Sequence, residues 1–127
     1  MGTPRVLLVD DDLNVLRGHG RILSNGGYQV ETATSGEDGL LLLEANDYDA
    51  VVLDMRMPGM DGITFLRLLR ERACDVPVVL LTGSLTAESA ATAINLGVAG
   101  CLVKPINARE LKEGLTHVVR PRLETVH

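Results

Sequence analysis

In Ala50-Val51-Val52-Leu53-Asp54-Met55-Arg56-Met57-Pro58-Gly59-Met60-Asp61-Gly62, a short apolar run ends on a carboxylate, and a Pro-Gly turn follows. Two other runs end in a similar way. Val6 to Val9 leads into Asp10-Asp11-Asp12, and Gly100 to Val103 leads into Lys104-Pro105. Apolar runs this short, bounded by turn residues, read as strands, and longer periodic stretches lie between them. Strands are expected at Arg5 to Val9, Gln29 to Ala33, Ala50 to Leu53, Val76 to Leu81 and Gly100 to Val103. Helices are expected near 13–25, 36–46, 62–72, 87–96 and 108–120. This alternation is that of an α/β domain, a parallel sheet covered by helices.

The punctuation agrees with those boundaries. Asn25-Gly26-Gly27 stops the first helix, Ser35 and Thr86 stand as N-caps, and Gly97 ends the fourth helix. Asn107 with Glu110 has capping-box spacing, and Leu111, Leu115 and Val118 form one apolar stripe. Gly18 and Gly20 inside the first helix each cost roughly 1 kcal/mol against Ala, with no functional account.

The 127 residues fit one domain, expected over 4–120, with 121–127 as a tail or the start of a linker. Tyr28, Tyr48 and Phe65 are the only aromatics, so the core is aliphatic and base-stacking surfaces are excluded. A net charge of -5 argues against direct nucleic-acid binding. Cys74 and Cys101 are too few for a disulfide framework or a zinc site. No run approaches the roughly 18 apolar residues of a membrane span, so a soluble cytoplasmic protein is expected.

In open α/β sheets ligands sit beyond the carboxyl ends of the strands. Asp10, Asp11, Asp54, Thr82 and Lys104 all fall there. Carboxylates converging from two strands repel unless a cation neutralises them. A hard divalent ion, Mg²⁺, would do so and leave places for water and a phosphoryl group.

With these motifs in order, the chain over about residues 4 to 120 resembles the receiver domain of bacterial response regulators. The resemblance implies a flavodoxin-like fold with strand order 2-1-3-4-5 and transfer of a phosphoryl group from a histidine kinase or phosphotransfer protein. It makes Asp54 the phosphoacceptor, Asp11 the more direct Mg²⁺ ligand and Asp10 a ligand acting through water. Asp54 and the backbone carbonyl of Arg56 complete the metal contacts, with Asp12 peripheral. It makes Thr82 the hydroxyl that binds the phosphoryl group and Lys104 its cation, with a cis Lys104-Pro105 bond. Arg56 and Ser84 are expected to tune water access. The implied output surface covers 86–96 and 100–118, and meets an output domain, a partner protein or a second copy in a phosphorylation-dependent homodimer.

Two departures stand out. Cys101 occupies the position where the family usually has an aromatic switch residue, and is expected to be an inert core thiol. His19 stands where a Leu is usual, and is expected to be partly buried, with His117 and His127 at the surface or in the tail. Two rival readings remain: a pseudo-receiver that binds partners without phosphorylation, and a haloacid-dehalogenase-type phosphatase using Asp10 and Asp12. The second lacks the acidic pair that class places after its lysine.

Overall fold

The computed structural model describes residues 2–119. The chain runs β1 (Arg5–Val9), α1 (Leu13–Asn25), β2 (Gln29–Ala33), α2 (Gly36–Ala45), β3 (Ala50–Asp54), α3 (Gly62–Glu71), β4 (Val78–Thr82), α4 (Ala87–Asn95), β5 (Gly100–Val103) and α5 (Ala108–Val118). The five strands pair in parallel in the order β2-β1-β3-β4-β5. Both the fold class and the strand order are those expected.

Why the inner strands β1, β3 and β4 are apolar at nearly every position follows from period-2 alternation between two covered faces, whereas β2 at the side of the sheet carries Gln29, Glu31 and Thr32. Val6 and Leu8, Ala50 and Val52, and Val79 and Leu81 point to one face, where Leu16 and Leu23 of α1 and Leu111 and Leu115 of α5 cover them. Leu7 and Val9, Val51 and Leu53, and Val78 and Leu80 point to the other, against α2, α3 and α4 through Leu40, Phe65, Leu66, Leu69 and Ala93. Phe65 is the largest of the fully buried side chains among the described residues.

Several boundaries move from their expected places. β4 begins at Val78, not Val76, because Pro77 has no N–H for the ladder, though its carbonyl still accepts from Val51 N–H at 2.9 Å. It also extends to Thr82, which pairs with Val103. β3 includes Asp54, opposite Leu81. Helix α5 ends at Val118 because Val119 turns to an extended backbone, φ -83° and ψ 117°. Residue 120, the proposed tail 121–127 and His127 lie outside the described residues.

Ser35, Thr86 and Asn107 cap α2, α4 and α5 as expected, the last two as capping boxes with Ser89 and Glu110. The sequence reading missed two further caps. Asp12 accepts from Asn14 N–H at 2.9 Å and starts α1; Asp61 accepts from Thr64 N–H at 2.8 Å and starts α3. No helix among the described residues is long and apolar enough to cross a membrane.

Candidate functional site

Among the described residues, only Asp10, Asp54 and Thr82 are polar or charged and buried with the core. All lie at or just past the carboxyl ends of strands. Asp10 follows Leu8 by two and Asp54 follows Val52 by two, so alternation sends both carboxylates to the α1/α5 side. The register across β1 and β3, Val9 opposite Leu53, then brings them level.

Asp10, Asp11 and Asp54 offer carboxylate oxygens that all lie within 4.8 Å of one another. Lys104 Nζ lies 2.6 Å from Asp54 Oδ1. This contact is an ion pair off the line of a hydrogen bond, since no donor reaches that oxygen with hydrogen-bond geometry. Asp10 Oδ1 accepts from the Asp12 N–H at 2.9 Å, but its Oδ2 is buried without a donor. Burial pushes the Asp10 carboxyl up to about 6; the Asp12 N–H pulls against this, and the Asp54 charge adds to it.

An orphaned buried carboxylate oxygen facing two further acids is an arrangement that a hard cation satisfies. These oxygen donors fit Mg²⁺, and among the described residues the group contains no nitrogen or sulfur ligand.

Thr82 follows Leu80, so it leaves the strand toward the α4 side. Its hydroxyl donates to the Ser84 carbonyl at 2.9 Å and accepts from the Ser84 N–H at 3.2 Å. Arg56 and Ser84 are exposed. The Lys104-Pro105 bond is cis, as expected. Gly62 sets how closely α3 approaches the site: a Cβ there would lie 2.8 Å from the Asp54 carbonyl and 2.9 Å from Met55 Cα. Its N–H donates to the Met55 carbonyl at 2.8 Å.

His19 is half-buried as expected, but it lines an open groove of about 430 Å³ with Val15, Lys104, Pro105 and Ile106. Burial, and then the Lys104 charge, lower its pKa. Cys101 is only partly buried and packs on the α2–α4 side; burial raises its thiol pKa, which favours the unreactive form. His117 is exposed.

A parallel sheet in this order, with an acidic cluster and a lysine at one rim, defines a class of small α/β signalling domains. The response regulator receiver domain pattern matches residues 6–116, and the chain belongs to that family, the receivers of two-component signalling. It is 37% identical over 123 residues to the transcriptional regulatory protein PrrA of Mycobacterium tuberculosis, covering 97% of this chain and 53% of that protein. Against the transcriptional regulatory protein QseB of Escherichia coli O157:H7 the identity is 36% over 116 residues, covering 91% and 53%. The chain thus spans about half the length of these curated relatives. Among solved structures, the chemotaxis protein CheY4 of Vibrio cholerae superposes with a TM-score of 0.88 at 30% identity, covering 93% of this chain and 100% of that one. The family match sets the dehalogenase-type phosphatase reading aside.

Proposed function

We propose that residues 4–120 act as a Mg²⁺-dependent phosphoryl acceptor with Asp54 as the modified residue. The observation that carries this is the Asp54 carboxylate, buried at the end of β3, paired with Lys104 at 2.6 Å and grouped with Asp10 and Asp11. Asp10, Asp11, Asp54 and the backbone carbonyl of Arg56 would hold the ion, with Asp12 spent on capping α1. When bound, Mg²⁺ supplies charge neutralisation at the phosphoryl oxygens.

The chain's own residues do the rest. An Asp54 oxygen attacks phosphorus, an O–P bond forms, and the N–P bond of a phosphohistidine donor breaks. The leaving imidazole takes its proton from solvent. Lys104 screens the charge gathering on the equatorial oxygens, and the Thr82 hydroxyl, once turned from Ser84, donates to one of them. Exposed Arg56 and Ser84 stand where water must pass for hydrolysis of the acyl phosphate.

The donor is a histidine kinase or phosphotransfer protein, and the compartment is the cytoplasm. The readout passes through 86–96 and 100–118 to an output domain, a partner protein or a second copy.

Intact-protein mass after incubation with Mg²⁺ and acetyl phosphate tests this. One added phosphoryl group is expected, absent with chelator and absent in Asp54→Ala. A folded protein that gains nothing under any condition would instead be a pseudo-receiver, acting through partners of its unmodified form.

A further inference from the structure

Arg70, near the end of α3, gives its guanidinium to backbone carbonyls alone. Nε donates to the Leu96 carbonyl at 2.9 Å and Nη2 to the Gly97 carbonyl at 3.0 Å. Nη1 donates to the Cys74 carbonyl at 2.8 Å and the Val76 carbonyl at 3.1 Å. None of the ion pairs among the described residues includes it. Leu96 and Gly97 close α4; Cys74 and Val76 belong to the turn between α3 and β4. The last carbonyls of a helix have no partner within it, and a cation there also meets the negative end of the helix dipole. A planar fork with five N–H donors can join both segments at once, which a lysine ammonium on its flexible stem cannot.

The other end of α4 is held quite differently. Thr86 and Ser89 bond each other, so the cap is satisfied within its own turn. Residues 83–88 are exposed. Burial is also one-sided: Ala93 is the buried residue of α4, and Leu96 and Val98 beyond it pack on the core. Gly97 takes φ +74° to make the turn that presents these carbonyls to Arg70. Helix α4 is therefore tied at its C-terminal end, and its N-terminal end continues through residues 83–86 to Thr82, whose hydroxyl is bonded only to Ser84.

We propose that Arg70 is the fixed pivot of α4: the helix is clamped at residues 96–97 and turns about that point when the loop after Thr82 moves. The clamp stands on geometry alone; the turning rests on the phosphoryl-acceptor reading of Asp54. A signal from the acidic rim then travels as a swing of residues 84–92, with 96–98 stationary.

Residue-resolved amide hydrogen exchange on the folded chain tests the clamp. In the unmodified protein Leu96, Gly97 and Val98 are expected to exchange at least about tenfold more slowly than Ala90 and Ala91. Arg70→Lys and Arg70→Gln should reduce that ratio to about twofold or less, while Leu53 and Leu80 in the central strands keep their protection and report an intact fold. A purely structural arginine would lower melting temperature and leave the distribution along α4 as it was.

The turning is read by adding Mg²⁺ and beryllofluoride, an acyl-phosphate mimic. Amide shifts should then concentrate in 84–92 in the wild type and spread to 93–98 in Arg70→Lys. Uniform exchange along α4, an unchanged ratio in both variants, or shifts centred on 96–98 in the wild type would each overturn the pivot. Absence of any shift, even beside Asp54, would instead count against the acceptor reading, and the exchange ratio would still decide the clamp.

Discussion

The two edges of the sheet both carry charge, and they use it in opposite ways. At the edge where the strands begin, Arg5 Nη2 meets Glu31 Oε2 at 2.6 Å, and Tyr48 donates to Glu31 Oε1 at 2.5 Å. The guanidinium also lies 5.0 Å from the Tyr48 ring centroid, and the Arg5 N–H donates to Asp49 at 2.7 Å. Each acid here has a donor. The hydrogen bonds from Tyr48 and Arg5 lower the pKa of Glu31. At the edge where the strands end, Asp10 and Asp54 are more deeply buried yet keep carboxylate oxygens without a hydrogen-bond donor. The first, the paired edge, gives each acid a hydrogen-bond donor and, among the described residues, leaves only Arg5 Nε buried without a partner, which stabilises the fold. The second, the unpaired edge, leaves Asp10 Oδ2 with no donor and Asp54 Oδ1 with the Lys104 charge alone, which costs stability and is retained where something must bind.

The largest effect should come from neutralising the unpaired edge. Asp10 titrates at about 6 in the fold against 3.8 for the free side chain. Both states bind the proton below the lower value, so stability is full there. It falls between about 4 and 6, where the unfolded chain has released the proton and the folded one keeps it, and levels off above about 6 with the buried charge in place. Two units amount to about 3 kcal/mol as an upper figure. Asp10→Asn should therefore stabilise the metal-free protein at pH 7.5 by up to about 3 kcal/mol and flatten its profile between about pH 4 and 6. Mg²⁺ requires the ionised form, so the wild type should gain more from it at pH 7.5 than at pH 5, and the variant should gain little at either. Denaturant midpoints with and without Mg²⁺ measure this. Identical pH profiles for wild type and variant would contradict the strained reading of this rim.

The paired edge should respond with the opposite sign. Tyr48→Phe removes the donor to Glu31 and leaves the ring in place, costing about 1 kcal/mol. Mg²⁺ should not alter that loss, since the change lies at the far end of the sheet. Denaturant midpoints for Tyr48→Phe at pH 7.5, with and without Mg²⁺, measure both. A Mg²⁺-dependent loss would show that the two edges are coupled, and the contrast between them would fail.

The rim was legible because alternation and strand ends place it. Once Val52 and Leu8 are assigned to one face, Asp54 and Asp10 must follow them, and no long-range information is needed. The sequence also announced three caps, at Ser35, Thr86 and Asn107. Asp12 and Asp61 escaped because each sits inside a motif that invited another reading, an acidic run and a Pro-Gly turn. Pro77 moves the start of β4 to Val78, a local signal that the surrounding apolar run masks. The Arg70 clamp and the Tyr48–Glu31 contact could not be read at all. Their partners are set by how α3 packs beside the end of α4 and by how the segment before β3 reaches β2, with β1 between the two strands. A lone arginine or tyrosine gives no sign of which carbonyl or carboxylate it will reach.

The smallest expected effect asks whether helix α1, beside the unpaired edge, carries a cost of the same kind. Nothing lies within 4 Å of a Cβ built on Gly18, so neither packing nor backbone conformation demands glycine there. Gly18→Ala should raise stability by about 0.5–1 kcal/mol through helix propensity alone. Because Gly18 is exposed, the added methyl should leave acetyl phosphate labelling of Asp54 unchanged. Gain in stability with unchanged labelling would make Gly18 an ordinary unoptimised surface position, and would confine the rim's cost to its carboxylates. Gain in stability with slower labelling would extend that cost from the acids to the helix that flanks them.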